Sequence, residues 1–516
     1  MDEAQWRAEW LAWNGNVLRW RVDGDLAGIP ATELTLDGAA FARMPATHAA
    51  SGEFSLEFPL SPSGHDELRF GLAAPGIDRP LELSPPWDVS IGKPAAAADL
   101  PPAPAQASWR RLSALAGTPR LPSAPLPQLP RVSVVVPIFN SPKSVQSCIE
   151  SVLRHSAHVR LILIDDASTD ERIAPLLAAA SRHEQVRIHR NAHNRGYTTS
   201  VNIGMRLAGG DDVVLLNSDT VVGPRWLQAL RIAAYSADDI GTATAVSDNA
   251  GAFSVPELER HCPAPARWTL AQAQRAVLQQ AGTRYPQLPT GNGFCMYVKR
   301  VLIARIGPMD EAAFPQGYGE ENDFCQRGER AGYRNVIAGN VLVHHERSAS
   351  FGDERRAALG AQGMAVLRER YPDYERAVGD ALWSFERRVL DWRIRRIYAD
   401  DDATYASQPP KPRLLLAADP QDAGTAKLLA ALSRNQECFL LRNDGDRVGL
   451  YRLDGTTFHP EDSVALGRDA AALAHVESRL REWLVGYAIE SVHARGSAAS
   501  DRWLATLAAE FEIPTL

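Results

Sequence analysis

The chain has no Cys-x-x-Cys pair. Its five cysteines, Cys148, Cys262, Cys295, Cys325 and Cys438, are scattered, which argues against a disulfide framework and a zinc cluster and fits a reducing compartment. No apolar run approaches the roughly 20 residues that cross a bilayer. The acidic start MDEAQWRAEW lacks the apolar core of a signal peptide. A cytoplasmic location is therefore expected, with any membrane association peripheral, at the inner face of the cytoplasmic membrane. Positive charge is not in excess: the formal net charge is -7, so bulk charge makes no case for nucleic-acid binding. Glycine-rich phosphate loops are missing too. Neither G-x-G-x-x-G after a first α/β strand nor G-x-x-x-x-G-K-[ST] occurs, which disfavours a dinucleotide-binding Rossmann site and a P-loop.

What is present has ordinary soluble composition, 45% hydrophobic and 23% charged over 516 residues. That length suggests two to four domains. Residues 1–92 read as a small β-sandwich-like module, from short alternating runs at Val17 to Val22, Glu33 to Leu36, Phe54 to Phe58 and Glu67 to Phe70. It is expected to be an accessory domain; a carbohydrate-binding face using Trp13 and Trp20 is the sharper alternative. Residues 93–130 are a Pro/Ala-rich linker, with one short helix expected around Trp109 to Ala116.

From residue 131 apolar strand runs alternate with helical spacing. Strands are expected at Val132 to Pro137, Leu161 to Ile164, Val186 to His189 and Val213 to Leu216. Helices are expected at Ser144 to Arg154, Ile173 to Arg182 and Thr199 to Ala208. This order predicts right-handed crossovers and a parallel sheet. Ligands sit beyond the carboxyl ends of such strands. Two of those ends carry acidic turns: Asp165 and Asp166, then Asn217, Ser218 and Asp219. A nucleotide bound here would be held by carboxylates and a metal.

The runs VSVVVPIFN, LILIDDASTD, HNRGYTTSVNIGM and DDVVLLNSDT, followed by LPTGNGFCMYVKR, GYGEENDFCQRGERAGYR and VLVHHERSASFG, together resemble family 2 GT-A glycosyltransferases, particularly bacterial rhamnosyltransferase and O-antigen enzymes. The resemblance covers residues 131 to about 352. It implies a GT-A nucleotide-sugar-binding domain at 131–352 and an inverting transfer of a sugar to a glycan hydroxyl. Asp166 is implied as the carboxylate that accepts the N3–H of a uracil or thymine. Pro137, Phe139, Asn140, Asp165, Asn194, Gly196, Asn217 and Ser218 are implied around the nucleotide. Asn217 departs from the family's DxD pattern, leaving Asp219 as its sole anionic ligand for Mg²⁺ or Mn²⁺. Diphosphate oxygens and waters would complete the shell, with His344 and His345 implied as candidates for one further ligand, His344 preferred. Glu320, Glu321 and Asp323 open a helix; that acidity also suits a helix dipole. Glu321 matches the family's general base, with Asp323 left open.

Residues 353–411 are expected to be a helical extension. Its Trp383, Arg387, Arg388, Trp392, Arg393, Arg395 and Arg396 form either a packed helix end or a surface for anionic lipid. Residues 412–516 resemble the first part of a GT-B Rossmann domain and are expected to lack transferase activity of their own. The expected partners are a nucleotide-sugar donor and a glycan acceptor, lipid-linked in the sharper form. A non-catalytic scaffold and a sugar nucleotidyltransferase are the competing readings; the latter lacks its glycine-rich basic loop between Pro137 and Ser141.

Overall fold

The computed structural model describes residues 6–14, 17–24, 33–36, 39–43, 51–57, 70–74 and 77–80 as backbone strands. It further describes residues 119–156, 159–258, 260–346, 353–382, 384–398, 409–417, 423–467, 469–493 and 499–516. The chain divides into two compact units, 1–118 with 379–393, and 119–378 with 394–516.

The first unit contains β1 (Trp6–Asn14), β2 (Val17–Gly24), β3 (Glu33–Leu36), β4 (Ala39–Arg43), β5 (Ser51–Glu57), β6 (Phe70–Ala74) and β7 (Ile77–Pro80). They form two antiparallel sheets, ordered β1-β2-β5 and β4-β3-β6-β7. Trp13 lies opposite Leu18 and Trp20 opposite Phe54. The helix expected around Trp109 to Ala116, and residues 67–69 of an expected strand, lie outside the described residues.

The second unit is built on β8 (Val132–Ile138), β9 (Arg160–Asp165), β10 (Val186–Arg190), β11 (Asp212–Leu216), β12 (Thr220–Val221), β13 (Ile240–Ser247), β14 (Cys295–Val298) and β15 (Arg334–His345). The sheet order is β10-β9-β8-β11-β14-β13-β15-β12. Its helices are α1 (Pro142–His155), α2 (Ile173–Ala180), α3 (Tyr197–Leu207), α4 (Trp226–Tyr235), α5 (Leu270–Gln280), α6 (Arg300–Ile306) and α7 (Glu320–Arg330). The expected mixed α/β fold is borne out, and β10, β9, β8 and β11 run parallel. The rest of the sheet is mixed: β14 enters antiparallel between β11 and β13, and β12 pairs antiparallel with β15. Val134, Val135, Leu161 to Ile164 and Val213 to Leu216 are buried, as strands covered on both faces must be. Gly204 lets α3 approach β8: a Cβ there would come 2.1 Å from Val135 Cγ1.

The helical extension is α8 (Asp353–Arg370), α9 (Tyr374–Leu382) and α10 (Phe385–Tyr398). Arg387 is buried against Asp391, with Nε 3.0 Å from Oδ1, so it does not face a lipid surface. Arg395 is likewise held by Glu257 at 2.7 Å.

The C-terminal sheet comprises β16 (Arg413–Ala417), β17 (Glu437–Asn443), β18 (Arg447–Asp454), β19 (Thr457–Ala465) and β20 (Ser491–His493). It is covered by α11 (Ala423–Leu432), α12 (Ala470–Gly486) and α13 (Ala499–Glu510). Only β17, β16 and β20 are parallel; β18 and β19 add an antiparallel hairpin. Among the described residues no helix is long and apolar enough to cross a membrane.

Candidate active site

β11 is buried throughout and stops at Asn217, whose N–H donates to the Phe294 carbonyl (2.9 Å). The chain turns through Ser218 and Asp219, and the Thr220 hydroxyl closes the turn by donating to the Asn217 carbonyl (2.7 Å). β12 then pairs with the end of β15, Thr220 opposite His345 and Val221 opposite His344. The Glu346 N–H donates to the Asp219 carbonyl (2.9 Å). This pairing places His345, not His344, against Asp219: Nε2 lies 3.3 Å from Oδ1. His344 points elsewhere, with Nδ1 2.6 Å from Asp248 Oδ2. The pairing thus favours His345 over the expected His344 as the histidine beside Asp219, because adjacent strand residues face opposite sides.

His345 is held on three sides. Its Nδ1 lies 3.0 Å from the Asn249 carbonyl, its ring stacks on Phe294 with centroids 5.5 Å apart, and its backbone N–H donates to Asp248 Oδ1 (3.0 Å). A carbonyl only accepts, so Nδ1 carries a proton, and Nε2, the nitrogen facing Asp219, is the one that a metal ion would take. The ring nitrogen and the carboxylate, facing each other at this distance, fit a cation between them. The residues thus suit a divalent ion, which His Nε2 and carboxylate oxygen both bind at about 2.0–2.2 Å. Among the described residues no three His, Cys, Asp or Glu side chains gather to hold a metal by themselves. A Mg²⁺-like ion that takes most of its shell from phosphate and water suits such a pair.

Asp248 was not singled out from sequence. It follows β13 as Asp219 follows β11, and a third polar strand end was its available signal. Burial is the largest single influence and works against its charge, but the His344 bond and charge, the His345 N–H and the Ser247 hydroxyl together hold its pKa below the usual range. The same bond raises His344.

At the β8 and β9 ends, Asn140 adopts φ 59° and ties the two loops together. Its side-chain oxygen accepts from the N–H groups of Thr169 (2.8 Å) and Asp170 (2.9 Å), and its own N–H donates to Ser168 Oγ (2.9 Å). Pro137 and Phe139 are half-buried beside it. Asp165 accepts from the Ser168 N–H (2.9 Å) and pairs with Arg190. Neither aspartate caps a helix, because α2 starts only at Ile173 and its N-cap is Arg172.

Asp166 is buried and organises the loop before α3. Oδ1 accepts from Asn191 Nδ2 (2.7 Å) and the Arg195 N–H (2.8 Å), and Oδ2 from the Gly196 N–H (2.9 Å). Three of about four acceptor positions are filled. Asn194 is exposed, and its Nδ2 reaches the Asp166 carbonyl at 3.4 Å. Gly196 has φ 85°, and a Cβ there would lie 2.2 Å from the Pro315 carbonyl oxygen, so glycine is required twice over.

The acidic helix start separates into three roles. Glu320 is 2% exposed and accepts from the Gly319 N–H (3.0 Å). Burial, then the neighbouring Glu321 carboxylate, pushes its pKa well above the usual range. Glu321 is half-buried, and its Oε2 has no hydrogen-bond partner among the described residues. Asp323 is fully buried, and three donors occupy it at 2.8 Å: Arg327 Nε, Arg370 Nη1 and the Tyr371 hydroxyl. Three of about four acceptor positions of Asp323 are thus taken by the protein itself, and it pins α7 to the end of α8.

Tyr197, at the start of α3, joins the two acidic centres. Burial pushes its pKa well up, and Glu320, Glu321 and Asp219 all add to the shift. Those carboxylates therefore all lie within electrostatic reach of one phenol. The close approach is permitted by Gly293, where a Cβ would come 2.3 Å from the Tyr197 hydroxyl.

Residues 133–306 match the family model Glycosyl transferase family 2. Over 100 residues the chain is 30% identical to Glycosyltransferase GlyG of Streptococcus pneumoniae, covering 19% of this chain and 33% of that protein. Over 106 residues it is 30% identical to Chondroitin synthase of Escherichia coli, covering 20% and 15%. The chain thus spans about a third or less of the length of these relatives. A solved structure of the mannosyltransferase PcManGT from Pyrobaculum calidifontis, in complex with GDP-Man and Mn²⁺, superposes with TM-score 0.37 at 19% identity, covering 60% of this chain and 82% of that one.

Proposed function

We propose that the chain is an inverting, metal-dependent glycosyltransferase that moves a sugar from a nucleoside diphosphate to a hydroxyl of a growing surface polysaccharide or O-antigen glycan. The carrying observation is the Asp219–His345 pair, 3.3 Å apart with His345 Nε2 turned toward the carboxylate and Nδ1 held by the Asn249 carbonyl. These two residues would hold Mg²⁺ or Mn²⁺, which supplies charge stabilisation to the departing diphosphate.

The chain's own residues do the rest. Glu321 Oε2, buried without a partner, takes the acceptor hydroxyl's proton as the bond to the anomeric carbon forms. Burial and the neighbouring Glu321 carboxylate raise the pKa of Glu320 well above the usual range, so the base role is given to Glu321 and not to Glu320. Asn140 and Asp166 fix the loops around the nucleoside. The remaining acceptor position of Asp166 Oδ2 suits the N3–H of uracil or thymine, favouring dTDP or UDP over GDP. A base on the acceptor side and a metal on the leaving side give a single displacement and inverted anomeric configuration.

The test is turnover of a panel of dTDP-, UDP- and GDP-sugars with Mn²⁺ or Mg²⁺ and lipid-linked or free glycan acceptors. Metal-dependent transfer with inversion is expected. No turnover of any donor, with or without acceptor, would favour a scaffold.

A further inference from the structure

α5 was not apparent in the sequence, yet it grips both the active-site edge of the large sheet and the C-terminal sheet. Its start is fixed locally by a capping box: the Gln272 N–H donates to Thr269 Oγ1 (3.3 Å) and the Thr269 N–H to Gln272 Oε1 (2.8 Å). One turn on, buried Gln274 donates through Nε2 to the Val221 carbonyl (2.8 Å). Gly223 makes room for it, since a Cβ there would meet Gln274 Oε1 at 2.5 Å. Val221 ends β12, two residues after Asp219.

The other side of α5 is held by the C-terminal unit. Arg275 Nε donates to both oxygens of Glu490, at 2.9 and 3.2 Å, in a largely buried pair. Gln279 Nε2 donates to the Lys411 carbonyl (2.7 Å). Glu490 is itself seated on β16, its N–H donating to the Arg413 carbonyl (2.9 Å). A second hold runs through α4: Arg225 donates to the carbonyls of Glu512 (2.6 Å) and Phe511 (2.7 Å).

We propose that the C-terminal α/β unit is a brace for the Asp219 turn: Glu490 fixes Arg275 and α5, and α5 fixes β12 through Gln274. β12 has only two residues, and so short a strand has little stability from its own ladder. Its lateral support therefore sets where Asp219 stands against His345. Gln274, Arg275 and Glu490 are positioning residues. The functional readout rests on the metal reading above; the structural readout does not.

The experiment uses the full chain with Arg275→Ala, Glu490→Ala, the reversed pair R275E/E490R, and Gln274→Leu. Amide exchange is followed over residues 217–224, and calorimetry measures Mn²⁺ binding in the presence of UDP, dTDP or GDP. Each single variant should speed exchange at 217–224 about tenfold, the scale of one charge-assisted hydrogen bond. Exchange in β8 and β9 should stay unchanged, and the reversed pair should recover most of the loss. Mn²⁺ affinity should fall several-fold in parallel. If Arg275→Ala does not fold, Gln274→Leu decides, since it leaves the Glu490 contact intact. Unchanged exchange at 217–224, with loosening confined to residues 486–493, would overturn the brace. A wild-type chain that binds no Mn²⁺ with any nucleotide, yet shows the exchange coupling, would overturn the metal reading and leave the brace standing.

Discussion

Asp323 and Glu321 lie two residues apart on α7, and substituting them should produce opposite failures. Asp323→Asn keeps the shape and removes the charge that Arg327, Arg370 and Tyr371 share. Removing one partner of a buried ion pair costs about 3–5 kcal/mol. Arg327 and Arg370 are 26% and 37% exposed, so water recovers part of this, and about 2–3 kcal/mol is expected. In a unit of this size that lowers Tm by roughly 2–4 °C. Glu321→Gln should cost no stability, because it removes a charge beside buried Glu320. Transfer should instead fall by about 10²–10⁴, the range for a lost general base, with donor binding unchanged. Scanning calorimetry and initial rates, taken well below both transitions, separate the two. An Asp323→Asn chain with native Tm and no transfer, beside an active Glu321→Gln chain, would refute the assignment and make Asp323 the base.

Three further outcomes follow from the same geometry. His345→Ala should weaken Mn²⁺ binding in the presence of nucleotide by at least about 10-fold, on the scale of metal-site substitutions, and His344→Ala by much less; equal losses in a titration would contradict the placement of His345. Glu320 has a folded pKa raised above its unfolded value of about 4.3, so its contribution to stability is complete below that pH and lost as pH rises through the folded value. Glu320→Gln should therefore lose less Tm than wild type between pH 5 and pH 8, and parallel curves would remove Glu320 from the account. Gly196→Ala puts a Cβ 2.2 Å from the Pro315 carbonyl at φ 85°; nucleotide binding should be lost while far-ultraviolet dichroism stays native, and normal binding would show that the loop adapts.

The strands that build the sheet were readable where their apolar runs are unbroken. Leu161 to Ile164 and Val213 to Leu216 are buried on both faces, and both end in polar turns visible in the sequence. What stayed hidden depends on distant pairing. Whether His344 or His345 meets Asp219 is set by the register of β12 on β15, over a hundred residues apart, and no local pattern encodes it. The capture of Asp323 by Arg370 and Tyr371 was invisible for the same reason, so its acidity was indistinguishable from that of a free base. β13, Ile240–Ser247, is wholly buried but interleaves Gly, Thr and Ala and shows no strong apolar run. α5 is rich in Ala and Gln, and its purpose appears only when Gln274 is seen against β12 and Arg275 against Glu490. Arg387 was left between a packed helix end and a lipid-facing surface because Asp391, one turn on, was not weighed as its partner.

The central claim is that Asp219 and His345 together hold the cation that makes the donor diphosphate a leaving group. The most direct measurement is turnover of the preferred sugar nucleotide by wild type and by Asp219→Asn, each with saturating Mn²⁺ and with excess chelator. Wild type should be active only with metal, and Asp219→Asn should be inactive in both conditions with an unchanged thermal transition. Full turnover by wild type in chelator, or by Asp219→Asn with metal, would contradict the claim.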